Sequence, residues 1–316
     1  MNDGGCYTEP MQHFAQISDP HLTTLEGAQA RDLLNKRALG FLSWRRKRRF
    51  EHRPEVLAAL LQDLRQQAQG LCQLLVTGDL THIGLPQEFA EAARWLRTLG
   101  EPRDVALVPG NHDTCVPTAW DSSFALWAPY MASDAEARSE RFPTLRVRGD
   151  LAFIGVSTAV PTPPLMATGT AGDAQIARLA GVLRDTGARG LFRVVYLHHC
   201  PLSGEEQWRK RLTDAPALQA ALADNGAELV LHGHGHRGHR RRLATRDGDA
   251  PVIAVPSASA LGLHGKDVAG YNCYAVSRET QGWTLTIAER TYDTASGTFV
   301  AGERTQLAIS RARAAA

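Results

Sequence analysis

Six residues, Leu231-His232-Gly233-His234-Gly235-His236, constrain this chain more than any other stretch. Histidines spaced by glycine make sense here only together with four groups far upstream. Those groups are Asp19-Pro20-His21, Gly78-Asp79, Gly110-Asn111-His112-Asp113 and Leu197-His198-His199. Each follows a short apolar run that reads as a β-strand. The chain thus sets His, Asp and Asn side chains at successive strand ends, and the central expectation is that they converge on two metal ions.

The segments between these groups alternate. Phe14 to Ser18 reads as a strand, and Pro54 opens a helix carrying Val56, Leu57, Leu60, Leu61 and Leu64, with Gly70 as its stop. Leu71 to Thr77 is the next strand. Pro86 to Leu99 repeats the helical pattern through Phe89, Ala93, Leu96 and Leu99, and Val105 to Val108 is strand again. Strand, helix, strand, helix, strand argues for α/β layering. Trp120, Phe124, Trp127 and Tyr130 fall in a helix and loop. Leu145 to Val147 and Leu151 to Val156 read as a hairpin around Gly149-Asp150. The Pro- and Thr-rich stretch from Thr158 to Gly172 is a loop, after which Asp173 caps a helix with Ile176, Leu179 and Leu183. Leu191 to Leu197 is strand, Asp214 to Ala223 helix and Leu229 to Leu231 strand. Beyond Leu243, the runs 252–255, 271–276, 283–287 and 298–300 read as antiparallel strands. The expectation is one domain over 1–316, with two facing sheets and outer helices, and a frayed tail at 311–316.

Residues 25–53 break this rhythm. Leu33, Leu34, Leu39, Phe41, Leu42 and Trp44 precede the run Arg45-Arg46-Lys47-Arg48-Arg49, so the stretch reads as an amphipathic basic insertion. Such a segment suits a membrane surface or a lipid diphosphate, with Phe41, Trp44, Arg45 and Arg46 as the contacts. A solvated helix shielding the core is the plain alternative. Nucleic acid ranks lower, because no aromatic stacking platform accompanies the charge. Overall net charge is only +2, which says little about partners. Five scattered cysteines without a CxxC pair give neither a disulfide framework nor a structural zinc site, and a reducing, cytoplasmic setting fits them. No secretory leader or bilayer-spanning run is read in the sequence, so membrane association would be peripheral.

Imidazole, carboxylate and amide ligands together suit Mn, Fe or Zn. Calcium would take mostly carboxylate and carbonyl oxygens. Asp79, with two oxygens, could hold a metal on each and keep two ions roughly 3.5–4 Å apart, the spacing used in phosphoryl chemistry. A lone histidine in a loop is usually structural, and a lone GD or DxH arises by chance. The weight lies in the five groups in this order, each after an apolar run.

That order resembles the signature of calcineurin-like metallophosphoesterases: DxH, GD, GNH[DE], H and GHxH. The resemblance covers residues 14 to 236 and implies a four-layer αββα sandwich. It implies that Asp19, His21, Asp79 and His236 hold one divalent ion, and that Asp79, Asn111, His198 and His234 hold the other. His112 would lie over the scissile phosphate, with Asn111 also on the substrate, while metal-activated hydroxide attacks phosphorus. His112 would stabilise the transition state or protonate the leaving group, and Asp113 would orient His112 rather than bind metal. His199 is taken as a neighbour of the ligand His198. His232, His239 and His82 are read as a strand end, a surface residue and a residue just before a helix.

Gly78-Asp79-Leu80-Thr81-His82 lacks the GDxVDRG extension of Ser/Thr protein phosphatases, which disfavours a protein substrate. Two subclasses remain for this small-molecule phosphoesterase. Residues 34–49 are similar to a segment of UDP-2,3-diacylglucosamine diphosphatases, whereas GNHD and GHxH are shared with cyclic-nucleotide phosphodiesterases. Phosphodiester, diphosphate and phosphomonoester all stay open, as does the oligomeric state. A catalytically inactive scaffold on the same fold is the alternative of another class, although every ligand position is filled.

Overall fold

The apolar runs pair into two six-stranded sheets in the computed structural model of the protein, which describes residues 11–67, 70–134 and 142–310. The expected tail, 311–316, lies outside the described residues. The first sheet contains β1 (Gln12–Ile17), β2 (Leu71–Val76), β3 (Val105–Leu107), β10 (Gly270–Glu279), β11 (Gly282–Asp293) and β12 (Thr298–Ser310), in the order β12-β11-β10-β1-β2-β3. The second contains β4 (Thr144–Arg148), β5 (Leu151–Gly155), β6 (Phe192–Tyr196), β7 (Leu229–His232), β8 (His239–Thr245) and β9 (Gly248–Ala254), in the order β4-β5-β6-β7-β9-β8. β1, β2 and β3 run parallel, as do β5, β6, β7 and β9. Their C-terminal ends therefore gather along one side of each sheet, where α/β proteins bind ligands.

Alternation along each strand decides which layer a side chain enters. Phe14 and Leu75 point between the sheets, where they meet Phe153, Val194, Leu231, Ile253 and Leu285. Ala15, Ile17, Leu74 and Val76 point outward, against Val56 and Leu60 of α3 (Pro54–Gln67) and Phe89 and Leu96 of α4 (Pro86–Leu99). The outer face of the second sheet is covered by α5 (Asp173–Ala188) and α6 (Ala215–Asn225) through Leu179, Leu183, Leu218 and Leu222. The result is the expected helix–sheet–sheet–helix sandwich. The hairpin is also as expected, with Arg148 opposite Leu151.

Residues 25–53 fold into α1 (Arg37–Ser43), a π-helical turn at Trp44–Arg48 and α2 (Arg49–Glu51). Trp44 is buried in a cluster with Leu25, Ile83, Leu85 and Cys115, and Phe41 packs against it. This corrects the lipid-contact reading of Phe41 and Trp44: both rings are used in fixing the segment to the loop before α4. Gly40 lies so close to Ile83 that a Cβ there would collide with it. Arg37 donates to the Ile83 carbonyl at 3.0 Å. At the far end, Glu51 Oε1 accepts from the Gly262 and Leu263 amides at 3.0 and 3.1 Å. Arg45 and Arg46 remain exposed, together with Leu34, Leu39, Leu42 and Phe50.

Two further expectations change. Asp173 begins α5 without capping it. Gly172 occupies the cap position, and the Asp214 carboxylate accepts from the Ala171 and Gly172 amides just before it. β9 pairs parallel with β7 and antiparallel only with β8, a strand formed by the Arg240-Arg241-Arg242 run. Arg240 is accommodated there by Glu289 of β11 at 2.7 Å. No helix among the described residues is long and apolar enough to cross a membrane.

Phe153 meets Phe14 edge-on at 5.2 Å, and Phe14 stacks on Tyr274 at 4.7 Å. Phe153→Ala should therefore cost about 3–5 kcal/mol in a urea unfolding titration, as expected for an aromatic side chain removed from a closed core.

Candidate metal centre

Backbone geometry singles out the site before any side chain is considered. Six non-glycine residues among those described have positive φ, and five are Asp19 (49°), His21 (40°), Asp79 (57°), His234 (66°) and His236 (53°). A left-handed L-residue costs about 1–2 kcal/mol, so five at one place mark a conformation imposed by its surroundings. Parallel pairing continues past the strands to hold it. The Asp19 amide donates to the Gly78 carbonyl at 3.0 Å, and the His21 amide to the Asp79 carbonyl at 3.1 Å. Gly110 is required here, because a Cβ would strike the Asp79 carboxylate.

The five strand-end groups meet. Asp79 Oδ2 lies 3.4 Å from His198 Nε2 and 3.9 Å from His21 Nε2, while Oδ1 accepts the His112 amide at 2.7 Å. One oxygen, rather than each of two, thus faces both imidazole sets. His198 Nε2 is also 3.1 Å from Asn111 Oδ1 and 3.2 Å from His234 Nδ1. His236 Nε2 is 3.2 Å from Asp19 Oδ1, too poorly aligned for a hydrogen bond, and that oxygen is a buried acceptor without a hydrogen-bond donor. Asp19 Oδ2 accepts from the His234 amide at 3.0 Å.

The rings are aimed by their rear nitrogens. His21 Nδ1 is 3.0 Å from the Thr81 carbonyl and His198 Nδ1 is 2.7 Å from the Thr77 carbonyl. A carbonyl only accepts, so each Nδ1 carries a proton and each Nε2 faces inward, where its lone pair can ligate a metal when that nitrogen is unprotonated, the arrangement of metal-ligating histidines. Ligand atoms of Asp19, Asp79 and His198 lie within 4.8 Å of one another, as do those of His21, Asp79 and His112, so each set could hold an ion.

The electrostatics match. Burial would raise the Asp19 carboxyl, but His236, with His198 and His21 behind it, holds it well below the ordinary value. Burial would lower His198, yet Asp79 and Asp19 push it up to about 9. His21 and His234 are driven well down, chiefly by burial, which keeps their rings neutral and able to donate lone pairs.

Several residues sit differently from expectation. The Asp113 carboxylate does not touch the His112 ring. It accepts from the amides of Asp79, Thr81 and Gly110 at 3.0, 2.9 and 2.8 Å and from Thr81 Oγ1 at 3.0 Å, bracing the loops that carry Asp79 and Asn111. Burial, with Asp79 nearby, raises it to about 7. His112 Nδ1 instead meets the His82 carbonyl at 2.7 Å and Arg48 Nη1 at 2.9 Å. His199 Nδ1 is 2.8 Å from Thr158 Oγ1, and its ring lies beside those of His198 and His234, with a nitrogen of each of the three within 4.8 Å of the others. His82 is buried and stacks on His21 at 5.3 Å. His232 ends β7, and His239 is half-buried at the start of β8.

Three contributors went unread in the sequence. His52 lies 4.4 Å from His21, ring to ring, with its Nδ1 fixed by Ser259 Oγ at 2.8 Å. Ser257 Oγ donates to the Asp19 carbonyl at 2.6 Å. Arg48 enters from the 25–53 segment. Arg48 lay in a basic run that pointed to a surface, and His52 carried no signal of its own.

Histidines and carboxylates gathered at the strand ends of a four-layer sandwich form a candidate metal centre. A sequence profile described as calcineurin-like phosphoesterase matches residues 12–238, and the chain belongs to that family. Calcineurin-like phosphoesterases use a dinuclear metal site, and this protein is a metal-dependent phosphoric ester hydrolase. A dimetal phosphatase from Danio rerio superposes with a TM-score of 0.62 at 13% identity, covering 96% of this chain and 100% of that one. A 5'-nucleotidase precursor from Thermus thermophilus gives 0.45 at 16% identity, covering 95% of this chain and 55% of that one. Wild-type Vps29 from Entamoeba histolytica, complexed with zinc, gives 0.41 at 14% identity, covering 93% and 99%. At 13% identity the likeness to the dimetal phosphatase is one of fold. No curated protein matches the sequence.

Asp113→Ala leaves buried amides without an acceptor and should lower stability by roughly 3 kcal/mol or more. Metal affinity should fall about 10–100-fold by titration calorimetry, the usual range for an outer-shell partner. Asp113→Asn should recover part of both.

Proposed function

We propose that the chain hydrolyses a small-molecule phosphoester at a dinuclear centre in which Asp79 is the shared ligand. The carrying observation is the single buried oxygen, Asp79 Oδ2, set between His198 Nε2 and His21 Nε2. Asp19, His21 and His236 would complete one ion's ligands, and Asn111, His198 and His234 the other's. The donor set of imidazole, carboxylate and amide suits Mn, Fe or Zn. The ions supply acidification of water at neutral pH and neutralisation of phosphoryl oxygens.

The protein's own groups do the rest. Asn111 and His112 line the pocket beside the ligands and would contact the phosphoryl group. Burial, then Arg48, holds His112 well below its ordinary value, so it acts as a neutral imidazole. It can then donate a hydrogen bond to a phosphoryl or leaving-group oxygen only from Nε2, with Nδ1 accepting. Asp113 acts by bracing the loop beneath.

The substrate reading rests on the rim. The cavity, about 240 Å³, is lined by Lys47, Arg48, Lys210 and Lys266, with Glu51 as the added acid beside the ligands. Such a rim suits an ester with more than one negative charge, a diphosphate or monoester, better than a singly charged cyclic nucleotide. Exposed Leu34, Leu39, Leu42 and Phe50 beside Arg45 and Arg46 suit an amphipathic substrate met at an anionic membrane surface. A nucleotide-linked lipid such as UDP-2,3-diacylglucosamine unites both features. In this reading residues 1–316 act as one domain, with 25–53 inserted over the site.

Elemental analysis of Mn-loaded protein should give two metals per chain, and Asp79→Ala should lose both with nearly all turnover. His112→Ala should keep its metals and lose about 10²–10⁴-fold in rate, the range for an acid–base group. A panel of UDP-diacylglucosamine, cyclic AMP, a glycerophosphodiester and a phosphomonoester ranks the substrates. Hydrolysis of cyclic AMP alone would reject the lipid reading, and hydrolysis of none, nor of bis(p-nitrophenyl) phosphate, would favour a scaffold.

A further inference from the structure

The Arg48 side chain has an unusual position for a cation. It sits in the π-helical turn Trp44–Arg48, a local widening of the helix that often accompanies functional sites. The turn is not free to drift, because Trp44 on one side and Glu51 on the other are anchored to separate loops. The guanidinium is half-buried at the cavity that Asp79, Asn111 and His112 line. Among the described residues it forms no ion pair.

Its one side-chain neighbour within hydrogen-bond distance among the described residues, His112 Nδ1 at 2.9 Å, is contested. The His82 carbonyl lies 2.7 Å from the same nitrogen. A carbonyl can only accept and a guanidinium can only donate, whereas one ring nitrogen does one or the other. If Nδ1 carries a proton for His82, Arg48 meets no lone pair there. If Nδ1 accepts from Arg48, the carbonyl goes without. In either tautomer the guanidinium lines the cavity with no carboxylate of the described residues within ion-pair distance. A half-buried cation in this state calls for an anion.

We propose that Arg48 is a phosphate-binding residue that receives a non-bridging phosphoryl oxygen of the substrate, and that the 25–53 segment exists at this site to deliver it. The inference rests on the dinuclear reading above, because the metals place the phosphoryl group. Arg48 reaches it from the 25–53 segment rather than from the strand ends, so the ester is held between the ions and a fixed fork of donors. With Nη1 kept on His112 Nδ1, the proton of that neutral ring stays on Nε2, and the other N–H groups of the guanidinium are the ones that take the phosphoryl oxygen. Arg45 and Arg46, earlier in the same basic run, are exposed and do not line the cavity.

The test uses the full-length Mn-loaded protein with inorganic phosphate as the probe, read by titration calorimetry and by elemental analysis. Arg48→Ala should keep two metals per chain and bind phosphate about 10–100-fold more weakly, the loss expected for a hydrogen bond to a charged group. Arg48→Lys should fall between, since a point charge replaces a fork. Arg45→Ala and Arg46→Ala should bind phosphate as the parent does. Undiminished phosphate affinity in Arg48→Ala overturns the proposal. Should Arg48→Ala not fold, undiminished affinity in Arg48→Gln does the same. Loss of the metals with the arginine also overturns it, by making Arg48 a structural support. A parent protein that takes up no metal would instead fail the dinuclear reading itself.

Discussion

Everything near the site follows from burying Asp19 and Asp79 with only histidines as ion-pair partners among the described residues. Two carboxylates at 0% and 1% exposure are too costly to leave uncompensated in a protein interior. Without metal, the compensation comes from a proton on His198, which is why that ring is pushed up to about 9. With metal, dications replace that proton and use lone pairs already aimed inward. Metal and proton thus compete for one buried cluster.

The sandwich exists to bring such groups together without leaving backbone polar atoms unpaired. Parallel strands from two sheets end on one side, and Gln16 Nε2 reaches across to the His232 carbonyl at 3.0 Å, tying β1 to β7 just beneath the site. The left-handed turns at Asp19, His21, Asp79, His234 and His236 fold each strand end sharply enough to present its side chain. Asp113 and Ser257 then fix the turning backbone from below. The stiffness of the centre therefore comes from residues that brace the backbone of the ligand positions, Asp113 at Asp79 and Ser257 at Asp19.

Much of this was legible in the sequence because the ligands follow strands buried on both faces, which are written as unbroken apolar runs. Leu71–Val76 and Phe192–Tyr196 could be read alone, and the motifs at their ends aligned by resemblance. What stayed hidden depends on distant partners. β8 is a run of arginines whose strand character comes from pairing with β9 and from Glu289. The role of Asp113 is set by three amides, which carry no sequence signal. Trp44 read as a membrane anchor because nothing local shows that Ile83 and Leu85 will cover it. Arg48 read as part of a basic surface run, and His52 drew no reading, because their neighbours, His112 and Ser259, lie far along the chain.

The central claim is that one oxygen of Asp79 is shared by two cations. Anomalous diffraction from Mn-soaked crystals tests it directly. The account predicts two peaks roughly 3.5–4 Å apart flanking Asp79, one beside His21 and His236 and the other beside His198 and His234. A single peak, or two peaks that do not both contact Asp79, would contradict it.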